Sequence, residues 1–195
     1  MSLEDKQKWD KKYIDKKRLL EPREASQNLK NYHDKCGGKK ALELACGSGR
    51  NTIYLAQNGF TVDALDIAKI ALDTLDNYAH ELGLDNNINT KLVDLDANTF
   101  EKESYDLVVM TNFLDRVLIT DVKTSLKVGG VFFIETYMQD SSNNKPNSNQ
   151  DYLLKSDELK EIFKDYEIIY YNEFDNEPTE MYQMRKQVVV AKKSI

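Results

Sequence analysis

At 195 residues, 41% hydrophobic and 31% charged, the chain has the composition of one ordinary globular domain with a single well-buried core. A net charge of −6 and a pI near 5.1 argue against a general nucleic-acid binder, which carries a basic footprint. No apolar run reaches the length of a membrane span, and the polar start Met1-Ser2-Leu3-Glu4-Asp5-Lys6 is unlike a secretory signal. Only Cys36 and Cys46 are present, the latter in a glycine turn, which fits a reducing cytoplasm rather than a disulfide scaffold.

Two polar segments of helical character come first. Trp9, Tyr13 and Leu20 recur near helical spacing, with lysines from Lys6 to Lys17 on the other side; a solvated helix face explains those lysines without RNA. Glu21-Pro22 interrupts the pattern, and a second helix is predicted over about Arg23 to Tyr32 before Gly37-Gly38 breaks the chain. Residues 1–38 therefore read as a helical extension and 39–195 as one compact unit.

Strands and helices then alternate. The first strand covers Ala41 to Ala45, and the helix after its glycine turn stops at Asn58-Gly59. The second strand covers Thr61 to Leu65. A long helix follows, with Ala68, Ala71, Leu72, Leu75, Tyr78, Ala79 and Leu82 on one face, and stops at Gly83. A third strand spans Asn89 to Val93, and a fourth, Tyr105 to Met110, has the unbroken apolar run of a strand covered on both faces. A helix of about Asp115 to Ser125 leads through Gly129-Gly130 to a fifth strand, Val131 to Glu135. Then come a polar loop from Met138 to Gln150, a helix around Ser156 to Phe163, and strands near Tyr166 to Asn172 and Met181 to Ala191. This alternation predicts an α/β fold, a parallel sheet with helices on both faces and a ligand site beyond the carboxyl ends of its strands.

The segment Ala41-Leu42-Glu43-Leu44-Ala45-Cys46-Gly47-Ser48-Gly49-Arg50-Asn51, with Val62-Asp63-Ala64-Leu65-Asp66 after it, carries the chemistry. It reads as a buried strand, a tight turn, a helix start and a second strand ending in an acid, a pocket for a nucleoside-containing cofactor. Thr52 occupies the place where a dinucleotide fingerprint needs Gly or Ala. Glu43, just before the turn, would repel a pyrophosphate but attract an ammonium and a sulfonium, which favours S-adenosylmethionine (SAM). Asp66, 17 residues after Gly49, is placed to accept both ribose hydroxyls; helix capping before Ile67-Ala68 is its other reading. Glu43 either orients the turn or faces the cofactor's amino group. Arg50 and Asn51 open a helix beside the methionine end, where a guanidinium can hold the carboxylate.

Glu43-Leu44-Ala45-Cys46-Gly47-Ser48-Gly49 resembles the first motif of class I SAM-dependent methyltransferases, and Gly49-Arg50-Asn51-Thr52-Ile53-Tyr54-Leu55-Ala56-Gln57-Asn58-Gly59 is similar to the branch with tellurite-resistance and thiopurine-type enzymes. Ala45 stands where many members have glycine. The resemblance implies a Rossmann-like, mostly parallel seven-stranded sheet that closes with an antiparallel C-terminal strand. It also implies SAM as cofactor, held by Glu43, Ala45, Cys46, Gly47, Gly49, Arg50, Asn51, Asp66, Ile67, Asp94, Leu95 and Asn112. An acid after the third strand commonly meets the adenine amino group; Asp94 takes that place, with Asp96 as competitor. Thr111-Asn112-Phe113-Leu114-Asp115-Arg116 resembles an Asn-aromatic-Leu-His-Arg-Pro pattern in a group of bacterial methyltransferases, with Asp115 and Val117 replacing the His and Pro. Glu135-Thr136-Tyr137 resembles the Glu-Thr-Phe of the same group. Asn112, Phe113, Arg116, Tyr137 and Tyr13 are the implied acceptor-side residues; a plain ion pair remains open for Arg116. Trp9, Tyr13, Arg23 and Ser26 belong to a segment that folds over the cofactor in related enzymes, or that simply packs on the domain.

The implied activity is in-line methyl transfer to a small-molecule acceptor, by a monomer or homodimer with no membrane or nucleic-acid partner. An already ionised acceptor, such as a thiolate or an oxyanion of tellurium or selenium, needs no general base, and no convincing base for an alcohol or amine is evident, which favours approximation over acid–base catalysis. His33 and His80 lack metal-ligand spacing, so no metal is inferred. An NAD(P)-dependent oxidoreductase, a non-catalytic SAM-binding protein and an RNA methyltransferase are the alternatives.

Overall fold

In the computed structural model, which describes residues 3–146, 148–176 and 182–194, helices α1 (Leu3–Asp15) and α2 (Gln27–Tyr32) precede the sheet. There follow β1 (Lys40–Leu44), α3 (Arg50–Gln57), β2 (Thr61–Asp66), α4 (Lys69–Glu81), β3 (Ile88–Leu92), β4 (Tyr105–Thr111), α5 (Arg116–Lys123) and β5 (Leu126–Tyr137). Helix α6 (Glu158–Ile162) leads to β6 (Glu167–Asp175) and β7 (Arg185–Lys192). Met181, the expected start of the last strand, lies outside the described residues.

The strands form one seven-stranded sheet in the order β3-β2-β1-β4-β5-β7-β6. All pairings from β3 to β5 are parallel, and β7 runs antiparallel between β5 and β6. Its centre is built from strands without a polar face. Leu107, Val108, Val109 and Met110 of β4 and Val131, Phe132, Phe133 and Ile134 of β5 are all buried, half on each side. Burying each such side chain contributes about 1.5–3 kcal/mol, which fixes the strands in the middle of the sheet. Chain reversal between β1 and β4 makes the switch point, and the glycine turn leaves the sheet there.

Three expectations need correction. The second helix is shorter than Arg23 to Tyr32, because Ser26 accepts from the Leu29 N–H and caps it; residues before Ser26 run as an irregular strap. The fifth strand starts at Leu126 rather than Val131, running through Gly129 (φ +79°) as an irregularity in its pairing with β4. The sixth helix is only Glu158–Ile162. Between β3 and β4 the chain forms no helix, so one face of β1–β3 keeps a cavity of about 370 Å³ lined by Leu42, Leu65, Asp63, Asn89, Lys91 and Tyr105. Among the described residues no helix is long and apolar enough to cross a membrane.

Candidate active site

The turn after β1 is made by alternating left-handed residues: Ala45 (φ +51°), Gly47 (φ +57°) and Gly49 (φ +80°). Glycine is required at Gly49, where a Cβ would lie 2.3 Å from the Leu75 side chain of α4. Ala45 accepts the same backbone with a Cβ, at a cost of about 1–2 kcal/mol. The Gly47 N–H donates to Asp66 Oδ2 (2.7 Å), and the Ala68 N–H donates to Oδ1 (2.8 Å). Asp66 therefore clasps the turn to Ala68, the N-cap residue at which α4 begins. Burial raises its carboxyl and the backbone donors oppose this. A carboxylate has about four lone-pair directions, so acceptor capacity is left for a hydroxyl. Ile67 beside it is buried. Cys46 is buried too, its thiol pushed up by burial and by the neighbouring Asp66 and Glu43, which makes it a packing residue.

Glu43 is 1% exposed and turns toward α3. It accepts the Thr52 hydroxyl and Asn51 Nδ2 (3.0 Å), and burial raises its carboxyl to about 7. Of its two readings, these bonds are those of the orienting one. Thr52, in the third-glycine place, is fully buried and committed to Glu43, a packing arrangement foreign to a dinucleotide fold. Asn51 also donates to Thr111 Oγ1 (3.0 Å) and accepts the Ser26 N–H (3.0 Å). Arg50, next to it, places one weak contact on the Glu24 carbonyl (3.4 Å), while its Nη2 is buried with no hydrogen-bond partner among the described residues. A buried guanidinium nitrogen without a partner is expensive.

Helix α1 lies over this turn. Trp9, Tyr13, Leu19 and Leu20 pack on Ile70, Ala68 and Ala71 at the start of α4, and the Tyr13 hydroxyl comes so near Gly47 that a Cβ there would sit 2.7 Å from it. Burial and the neighbouring Asp66 and Cys46 push the Tyr13 phenol upward. Packing face and cover are thus the same surface. On the far side, the Val93 N–H bonds the Asp66 carbonyl (3.0 Å), bringing β3 beside β2. Asp94 is half-buried and accepts the Asp96 N–H (3.1 Å), Leu95 is buried, and Asp96 is exposed.

The residues expected on the acceptor side follow β4 and β5. Asn112 is exposed and left-handed (φ +55°), with its N–H on the Glu135 carbonyl (2.9 Å); Phe113 is half-buried against the core. Tyr137 is half-buried, its ring 4.9 Å from Lys186 Nζ. Arg116 points elsewhere. Its guanidinium grips Glu158 (2.5 and 3.1 Å) and the carbonyls of Asp151 (2.6 Å) and Leu153 (3.1 Å), stapling α5 to the chain before α6. This is the ion-pair reading. Asp115 caps α5 through the Leu118 N–H (2.9 Å). Gln139, Asn143, Lys145, Ser148 and Gln150 line a polar cavity of about 280 Å³ beyond the end of β5.

Sequence reasoning gave no role to the acidic and basic residues behind these groups. Glu135 and Lys186 are both buried and 3.7 Å apart, and Ser26 Oγ (2.7 Å) and Asn28 Nδ2 (3.0 Å) donate to Glu135. The signal was present: one acid in Val131-Phe132-Phe133-Ile134-Glu135 and one lysine at the start of the apolar last strand.

The sequence profile of the family described as Tellurite resistance protein TehB matches residues 3–186. The chain belongs to the TehB family. A probable S-adenosyl-L-methionine-dependent methyltransferase TehB of Haemophilus influenzae is 33% identical over 141 residues, covering 69% of this chain and 48% of that protein. The crystal structure of TehB from Haemophilus influenzae superposes with a TM-score of 0.76 at 27% identity, over 92% of this chain and 65% of that one. A SAM-dependent methyltransferase from Methanosarcina mazei superposes at 0.69 and 20% identity, over 89% of this chain and 100% of that one, and shows the shared fold. The TehB family thus places this sheet among the Rossmann-like class I SAM-dependent methyltransferases, with SAM as the family's cofactor. The chain spans about half the length of the curated TehB relatives it matches.

Proposed function

We propose that the chain transfers a methyl group from SAM to a small-molecule acceptor. The observation that carries this reading is the unpartnered, buried Nη2 of Arg50 beside the turn clasped by Asp66, a cation awaiting an anionic group next to a site for a diol. The residues present fit a molecule with a ribose at one end and an amino-acid carboxylate at the other. Asp66 is assigned the ribose hydroxyls, Asp94 and Leu95 the adenine, and Arg50 the carboxylate. Ala45, Cys46, Gly47 and Gly49 supply the close backbone, with Ile67 and Asn112 lining it. Glu43 and Asn51 hold the turn's geometry. SAM, when bound, supplies a methyl group already activated on a positive sulfur. What the chain contributes is approximation and the exclusion of water, with residues 1–38 as lid and 39–195 as cofactor-binding body.

Asn112, Phe113, Tyr137 and Tyr13 are assigned to the acceptor side. An acceptor that arrives ionised needs no base. Two lysines support an anion: burial and the charges of Lys145, Lys16 and Lys8 push the Lys12 ammonium down to about 8, and Lys145 lines the polar cavity beyond β5. The acidic balance of the chain supports a small acceptor over nucleic acid, and two free cysteines support a reducing cytoplasm.

Titration calorimetry with SAM, S-adenosylhomocysteine and NADH side by side tests the cofactor; binding of NADH alone, or of nothing, refutes it. Arg50→Met is expected to weaken S-adenosylhomocysteine about tenfold, or about 1.4 kcal/mol. Labelled methyl transfer is then screened over thiols, tellurite, selenite and small carboxylates.

A further inference from the structure

A row of buried polar side chains crosses the carboxyl edge of the sheet on the α2–α3 face, and the methyl-transfer reading leaves most of it unused. It runs from Thr52 and Glu43 through Asn51, which bonds Thr111 of β4 and the backbone of Ser26. The Ser26 hydroxyl then donates to Glu135 of β5, and Glu135 meets Lys186 of β7, whose ammonium stands over the Tyr137 ring. Every member before Tyr137 is 9% exposed or less. Four strands, one helix and the strap are tied together by these bonds, and every step is a contact between different segments of the chain.

Buried polar rows that are fully connected fix one geometry rather than add stability. Here the two ends of the row are the helix that carries Arg50 and the wall that carries Tyr137. The middle is Ser26, the last residue of the strap joining α1 to α2. We infer that Ser26 and Glu135 are positioning residues: their hydrogen bond latches the N-terminal strap to β5 and holds α1 down over the glycine turn. Ser26 serves the row twice, its N–H toward Asn51 and its hydroxyl toward Glu135, so replacing the hydroxyl releases the β5 side and leaves the α3 side in place. Asn28, which also bonds Glu135, is the secondary attachment on α2.

This inference uses the methyl-transfer reading only for its consequence, so the primary test needs no ligand. Trp9, the sole tryptophan, sits in α1 and reports on the cover directly. Ser26→Ala is expected to raise acrylamide quenching of Trp9 about twofold and amide exchange across residues 20–32 about tenfold. The central strands β4 and β5 should keep their protection. Ser26→Thr, which retains the hydroxyl, should restore both signals. Because the change to Ala also removes the α2 cap, Glu135→Leu, which leaves no acceptor for the Ser26 hydroxyl, is combined with Lys186→Met and run beside it. That pair breaks the latch without leaving a lone buried charge and without touching the cap, and should reproduce the Trp9 effect. Unchanged quenching in both variants, or a Thr variant no better than Ala, overturns the latch. A wild-type protein that binds no S-adenosylhomocysteine would sink the cofactor reading instead and leave the latch result standing.

Discussion

The two rims of the cleft are built differently. On the rim made by β1 and β2, left-handed residues and the Gly47 and Ala68 N–H groups on Asp66 make the backbone the main support, and neighbouring side chains, Asn51 and Thr52, fix the buried Glu43. On the rim after β4 and β5, side chains reach across long sequence distances, from Arg116 to Glu158 and from Ser26 to Glu135, and the described residues of 139–149 form no helix or strand. A backbone-built rim suits a ligand that never changes. A rim of side chains on loops can change acceptor without disturbing the other side.

The largest way to break the first rim is Asp66→Ala. It removes a clasp on two N–H groups and the proposed diol acceptor together, so SAM affinity should fall about 100-fold or more by calorimetry, roughly 3 kcal/mol. Retained affinity refutes the ribose assignment. On the second rim, Arg116→Ala should cost about 2 kcal/mol of stability through lost bonds to Glu158 and two carbonyls, read by denaturant unfolding. Cofactor affinity should stay within twofold; a large affinity loss would mean the two rims are not separable.

Smaller effects sharpen the contrast. Glu43 has its carboxyl raised to about 7, so the folded state binds its proton more tightly than the unfolded chain does. The stability this contributes is complete below about pH 4.5 and is lost as pH rises through 7. Glu43→Gln should therefore gain on the wild type in thermal unfolding between pH 5 and pH 8, and a constant difference across that range counts against a buried, raised Glu43. Smallest of all, Ala45→Gly relieves a left-handed Cβ but adds freedom to the unfolded chain, for a net gain of about 0.5 kcal/mol. A loss of stability there would show that the Ala45 methyl packs usefully.

The first rim was legible because its logic is local. Glycines at Gly47 and Gly49 and an acid at Asp66 sit at spacings set by one turn and one crossover, and the alternating apolar runs announced every strand. Ends were less legible: Ser26 capped α2 later than the apolar pattern implied, and β5 absorbed Gly129 where a stop was expected. The second rim escaped because its contacts join residues more than a hundred positions apart, as Ser26 and Glu135 are. Periodicity says nothing about such pairs. Arg116 shows the same limit, since nothing near it in the chain announces Glu158 or the carbonyl of Leu153.

Strand β7 closes the sheet by slipping between β5 and β6, and its Lys186 to Ala191 are all buried. Until that segment takes its place, the Val131-Phe132-Phe133-Ile134 edge of β5 has no neighbour on that side. The polypeptide must therefore guard a bare, sticky strand until β7, which follows β1 to β6 in the chain, seals it. Damage to β7 should accordingly be felt as aggregation before it is felt as lost chemistry.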